Sequence, residues 1–202
     1  MLNLEEGKKA VRFARKIIES TVDNKNNFEL NIPEAFNEKH GAFVTIHKYP
    51  NHQLRGCIGI PLPSMSLKKA ISEAGSSATH DPRFTPLSED ELDEITIEVT
   101  VLTKPKEIKV SNPKEYPSEI KIGRDGLIVH KGINKGLLLP QVPVEQDWGK
   151  DEFLSHTCIK AGLSSDAWLE KDVKISKFSG QIFSEIEPRG EIKEKKIDGS
   201  SD

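Results

Sequence analysis

The segment AFVTIHKYPNHQLRGCIGI, residues 42–60, reads as two strands folded back on each other. Residues 42–49 are rich in β-branched and aromatic side chains, the composition of a strand, and Pro50 with Asn51 marks a turn. Residues 54–60 return as the partner strand of a hairpin that carries Cys57. Within LRGCIG, residues 54–59, the cysteine stands between Gly56 and Gly59 and two positions after Arg55. Glycines in a strand remove side-chain cover and let another backbone or a ligand come close.

Upstream of the hairpin, Leu4, Val11, Ala14, Ile17 and Ile18 recur at helical spacing, with Arg12, Arg15 and Lys16 mostly around the stripe. A polar connection from Asp23 to Asn27 follows. Downstream, Pro61 and Pro63 stop the strand, and Ser64 or Ser66 caps a helix whose Leu67, Ala70, Ile71, Ala74 and Ala78 share a face. That helix ends near His80, because Asp81 precedes Pro82 and is biased away from the helical region. HDPRFTP, residues 80–86, reads as a rigid loop, and Ser88 and Glu91 have capping-box spacing.

In ITIEVTVLT, residues 95–103, apolar and polar side chains alternate, which predicts a strand with Glu98 on its less apolar face. The stretch from Ile120 to Leu139 reads as a three-strand meander with turns at Arg124–Gly126 and Gly132–Gly136. A helix over 150–161 with Gly162 as its cap and a strand over 173–184 complete the regular elements. From residue 187 to 202 the chain is charged and poor in large apolar side chains, so a disordered tail is expected after a single domain over 1–186. Strands and helices mix without a regular βαβα order. The expected class is therefore α+β, a mainly antiparallel sheet with flanking helices, rather than a doubly wound parallel sheet.

Composition narrows the function classes. A net charge of −3 and a pI near 6.1 give no field that concentrates the protein on polyanions, which argues against nucleic acid as its ligand. No apolar run reaches the ~18 residues needed to span a bilayer. The first residues, MLNLEEGKKAVRFARK, lack the pattern of a secretory signal, so the expected compartment is the cytoplasm. Cys57 and Cys158 then read as free thiols.

Cys57 admits two readings, a small buried hydrophobe or a reactive thiol activated by a nearby cation. Alternation along the strand places Arg55 on the same face, where it would supply that charge. No phosphate-binding loop is present, and the histidines form no metal-ligand spacing, so neither a cofactor nor a metal is expected. Asp81 and Arg83 flank a proline that limits the entropy lost on gripping a ligand; the alternative is an Asx turn with a structural ion pair. His80 is either a base for Cys57 or a helix-end residue. Glu145 and Trp148 lie on a connection between a strand and a helix, a common place for binding groups.

Together these segments resemble the AMMECR family. LRGCIG is its hallmark, and the similarity continues through DPRF at 81–84, EVTVLT at 98–103, LPQVPVEQDW at 139–148 and CIKAGL at 158–163. The resemblance implies a larger and a smaller lobe with a groove between them, lined here by Arg55, Gly56, Cys57, Asp81, Arg83, Glu98 and Glu145. Where some members have a histidine before the glycine of the meander turn, this chain has Asp125 before Gly126. The resemblance also implies an association with Memo-like and radical-SAM proteins, without naming a reaction.

Two functions follow as expectations. One is an enzyme or enzyme accessory binding a small anionic or peptide-like ligand: Cys57 serves as nucleophile or acid, Asp81 or Glu145 moves protons, and Arg55 and Arg83 hold negative groups. Gly56 and Gly59 give clearance, and Glu98 lines the site. The other is a non-catalytic recognition module that holds a partner protein or peptide in the same groove.

Overall fold

The structure is a computed structural model and describes residues 1–23 and 31–195. In chain order the elements are α1 (Leu4–Asp23), β1 (Gly41–Lys48), β2 (Leu54–Ile60), α2 (Leu67–Ala78), β3 (Ile95–Leu102) and β4 (Lys106–Glu107). They continue with β5 (Asp125–Lys131), β6 (Asn134–Leu138), α3 (Gln141–Glu145), α4 (Lys150–Lys160), β7 (Lys174–Glu185) and β8 (Ile192–Lys195). The class is mixed α+β with antiparallel strand pairs, as the sequence predicts. The described chain divides into two compact units, residues 1–102 with 181–195, and residues 103–180. Beyond Asp23, the polar connection expected up to Asn27 lies outside the described residues.

In the first unit the strand order is β2-β1-β3-β7, with β8 also paired to β7. Ala42, Val44 and Ile46 of β1 and Ile97, Val99 and Val101 of β3 form one buried core with Ala70, Ile71 and Ala74 of α2 and Val11, Ala14 and Ile18 of α1. Fully burying a Val or Ile side chain contributes roughly 1.5–3 kcal/mol, so a one-residue slip of β1 would lose several such terms. That fixes which residues face away from the helices. Thr45 pairs with Cys57 on one side and with Glu98 on the other. Ser66 is the cap of α2, its side chain accepting from the Lys69 N–H.

The least expected feature of this unit is Arg15, which is 4% exposed. Its Nε and Nη2 donate to the two oxygens of Glu185 at 2.8 and 2.5 Å, and Nη1 and Nη2 also reach the carbonyls of Leu92 and Ile95 at 3.1 and 2.8 Å. Glu185 in turn accepts the Ile97 N–H at 3.0 Å.

In the second unit β7 pairs with β5 and β4, and β5 with β6, around a core that includes Leu127, Val129, Phe153, Leu154, Cys158 and Ile175. The expected meander has two strands rather than three. Residues 121–124 form a turn in which Gly123 takes φ +79°, and β5 begins at Asp125. The Asp125 side chain holds that turn, accepting from the Lys121 N–H at 2.9 Å and from Arg124 Nε and Nη2 at 2.7 Å each. Gly126 therefore lies in the strand, where a Cβ would stand 2.3 Å from the Phe178 ring. The position before Gly126 is thus a buried, ion-paired carboxylate rather than a histidine.

Two elements contradict the sequence reading. Gln141–Glu145 is the short helix α3 rather than a loop; Pro143 fits because the first-turn N–H groups of a helix need no intrahelical partner. The expected disordered tail instead carries β8, with Ile192 4% exposed. A turn in which Gly190 N–H donates to the Glu187 carbonyl at 2.9 Å brings the chain back along β7. A single well-placed isoleucine anchors a segment whose average composition is charged. Residues 196–202 of that tail lie outside the described residues.

Candidate functional site

Cys57, Asp81 and Arg83 are brought together at the outer margin of the hairpin. Cys57 and Thr45 face each other across β2 and β1, and the Thr45 hydroxyl donates to the half-buried Sγ at 3.3 Å. The Cys57 N–H donates to Asp81 Oδ2 at 2.9 Å, and the Cys57 carbonyl accepts from Arg83 Nη2 at 3.3 Å. The loop after α2 thus binds both backbone polar groups of the cysteine.

Asp81 is 2% exposed and accepts four hydrogen bonds. Oδ1 takes the Arg83 N–H at 3.1 Å and Nε at 3.0 Å; Oδ2 takes Arg83 Nη2 at 2.7 Å besides the Cys57 N–H. The Arg83 bonds, outweighing burial, hold this carboxyl well below the usual carboxylate range. Asp81 is an ion-paired anion that positions backbone, the arrangement of the Asx-turn reading of this loop.

Arg55 also departs from expectation. The β1/β2 register runs from Ile46–Gly56 to His47–Leu54, leaving Arg55 as the extra residue of a bulge. A bulge re-aims its side chain, which defeats the alternation argument. Arg55 is buried, pairs with Glu91 through Nε and Nη2 at 2.6 and 2.8 Å, and donates to the carbonyls of Thr85 and Pro86. Through these contacts it clamps the HDPRFTP loop. Glu91, bonded by Arg55 and by Ser88, is pulled down to about 2. The Phe84 ring lies 6.0 Å from the Arg55 guanidinium and 5.7 Å from that of Arg83, within cation–π range.

Of the two readings of the glycines, close approach of a backbone or of a ligand, the contacts of Gly56 match the first. A Cβ on Gly56 would meet the Ala78 carbonyl oxygen at 2.3 Å, so the absent side chain lets the end of α2 lie on β2. A Cβ on Gly59 would stand 2.2 Å from the ring of Phe43, its partner across the strands.

Burial is the largest influence on the Cys57 thiol and pushes it up; the Thr45 hydroxyl and Arg83 oppose this, while Asp81 and Glu98 add to it. This direction favours the protonated thiol over the activated thiolate, the second of the two readings of Cys57. Glu98 continues the Cys57–Thr45 row on β3 and pairs with Lys195 at 2.9 Å. His47, two residues from Thr45, is lowered mainly by burial against the pull of Glu98, and its Nδ1 contacts the His52 carbonyl at 3.2 Å. Thr45 and His47 were legible only as polar positions in AFVTIHKY; their partners depend on register. Lys195 lies in the charged segment that follows residue 187.

His80 is exposed, with Nδ1 2.7 Å from the Thr79 hydroxyl. Glu145 belongs to the second unit, where it is exposed on the last residue of α3. Trp148, in that unit, stacks on His156 with centroids 3.8 Å apart. Among the described residues no three His, Cys, Asp or Glu side chains cluster as a metal site, and no helix is long and apolar enough to cross a membrane.

The Asp81 and Glu91 pairs predict an acid-sensitive hairpin. Both carboxyls are lower in the folded state than the ~4 of an unfolded chain, so their stabilisation is complete above about pH 5 and is lost as pH falls toward 2. Denaturant midpoints measured from pH 6 to pH 3 are expected to fall, and Asp81→Asn with Glu91→Gln to flatten the slope. An unchanged slope in the double variant would refute this assignment.

Fold and site together define an α+β protein built around an LRGCIG hairpin whose margin is held by a DPRF loop. The chain belongs to the AMMECR1 family, whose model matches residues 11–183. It is 56% identical over 198 residues to Protein MJ0810 of Methanocaldococcus jannaschii, covering 98% of each chain. It is 50% identical over 199 residues to a protein of Thermococcus gammatolerans, covering 96% of this chain and 97% of that one. The crystal structure of uncharacterized protein PH0010 from Pyrococcus horikoshii is 46% identical and superposes with a TM-score of 0.84 over 97% of this chain and 99% of that one. These names state no reaction or ligand.

Proposed function

We propose that the Cys57 face of the first unit is a recognition site for a small carboxylate or an acidic peptide, with Arg83 as its counter-charge and Cys57 as a neutral contact. One observation carries this reading: the thiol is raised rather than lowered, beside a carboxylate already saturated by four donors. A nucleophile needs a thiolate or a free base, and Asp81 supplies neither. Arg83 has its side chain 56% exposed, and its Nη1 has no hydrogen-bond partner among the described residues. That edge is free to accept an anion while Nε and Nη2 stay on Asp81. A protonated thiol also suits a proton donor, which keeps the enzyme reading alive in one form, Cys57 as acid. Free thiols suit the cytoplasm, the compartment this reading assumes.

Alkylation separates these roles. Iodoacetamide is expected to label Cys57 in the folded protein at least about tenfold more slowly at pH 7 than a free thiol, with the rate rising only in alkaline solution. Fast labelling at neutral pH would overturn the recognition reading. A panel of small carboxylates and acidic peptides, followed by amide chemical shifts at Thr45, Cys57 and Arg83, should find a ligand whose binding survives Cys57→Ser and fails in Arg83→Ala. Binding that instead survives Arg83→Ala would refute the site.

A further inference from the structure

Arg12, Arg15, Lys16 and Glu19 are spaced three, four and seven residues apart on α1, so they share one face of the helix. Arg189, Gly190 and Ile192, with Glu185 at the end of β7, complete a cavity of about 240 Å³ within the first unit. Four cations and two carboxylates line it. Arg15 and Glu185 neutralise each other at 4% and 3% exposure, leaving Arg12, Lys16 and Arg189 against Glu19. Glu19 is already shared, 3.1 Å from Lys16 Nζ, 3.0 Å from Arg189 Nε and 4.0 Å from Arg15 Nη1. Arg189 also pairs with Asp93, which lies outside the lining. Even with Asp93 included, a positive charge is left over, and Arg12 is exposed with no hydrogen bond or ion pair among the described residues.

We propose that this cavity binds a phosphate group, with Arg12 and Lys16 donating from α1 and Arg189 from the turn before β8. An anion fits a lining that stays positive even with Asp93 included, and an arginine suits phosphate because its fork offers paired donors. The floor does not compete for the ligand. Arg15 spends its donors on Glu185 and two carbonyls, and Glu185 is covered by Arg15 and the Ile97 N–H. The volume is below the ~300 Å³ at which drug-sized pockets begin, so the ligand is small, inorganic phosphate or a short phosphate monoester.

Calorimetric titration of the full chain with inorganic phosphate and with methyl phosphate tests this, alongside amide shifts at Arg12, Lys16 and Gly190. Saturable binding is expected to weaken at least about tenfold in the Arg12→Ala/Lys16→Ala variant, since two charge-assisted contacts are lost at exposed positions that the fold does not need. Arg83→Ala should bind phosphate unchanged, which keeps this site separate from the Cys57 face. Stronger binding of methyl phosphate assigns the site to esters, and stronger binding of inorganic phosphate to the free ion; both support it. No saturation by about 10 mM, or equal affinity in the double variant, would overturn it.

Discussion

Arg15→Met is expected to cost about 3–5 kcal/mol, because it leaves the Glu185 carboxylate, 3% exposed, with one backbone N–H as its remaining protein donor. A domain of this kind is stable by only about 5–15 kcal/mol, so the variant sits near the edge of folding at room temperature. Glu185→Leu should do comparable damage from the other side, leaving the guanidinium with two carbonyls and no counter-charge within bonding distance except Glu19 at 4.0 Å. Joining the two substitutions removes both charges, and buried ion pairs replaced by well-packed apolar groups are often neutral. Here recovery is expected to be partial. The Leu92 and Ile95 carbonyls and the Ile97 N–H lose partners whatever replaces the pair, and each unsatisfied buried group costs about 1–3 kcal/mol. Urea denaturation of the four proteins in a double-mutant cycle measures the coupling. Additive single effects would show that the pair does not act as a unit.

Gly56→Ala is the second large effect, expected to cost about 3 kcal/mol, the upper end of overpacking penalties. The added methyl would stand 2.3 Å from the Ala78 carbonyl oxygen, and that oxygen belongs to backbone at the end of α2. Relief requires the helix or the strand to move, and both are committed to the same core. Gly59→Ala makes the useful contrast: its methyl would meet the Phe43 ring at 2.2 Å, a side chain able to change rotamer, so the loss should be smaller. The comparison is read from urea midpoints of the two variants. Equal losses would mean that the helix end yields as easily as an aromatic ring.

Residue composition and turn residues made the hairpin legible, and the spacing of apolar side chains did so for α2 and β3; the strand over 173–184 was legible as well. Patterning failed where one residue determines the outcome. Ile192 anchors β8 inside a charged stretch, the Asp125 side chain fastens a turn that ends two residues earlier than expected, and Arg15 lies within bonding reach of a carboxylate 170 positions later in the chain. The candidate site was legible as a set of residues more than as a set of roles. Cys57, Asp81 and Arg83 do meet, but a bulge turns Arg55 onto the loop and cross-strand register selects Thr45 and Glu98 as the neighbours of the thiol. Neither bulge nor register is written in one strand alone. Arg55, Gly56 and Gly59 match a binding motif in type, and each is committed to contacts within the fold, Arg55 to Glu91 and two carbonyls and the glycines to close neighbours.

The grip of Asp81 and Arg83 on Cys57 has a consequence for the behaviour of the molecule in crowded solution. β2 is the outermost strand in its order, and an outermost strand with open amides and carbonyls templates sheet growth from one molecule to the next. With the amide and carbonyl at position 57 occupied, the hairpin is closed to such recruitment at its centre. The aspartate and arginine of DPRF thereby guard against self-association.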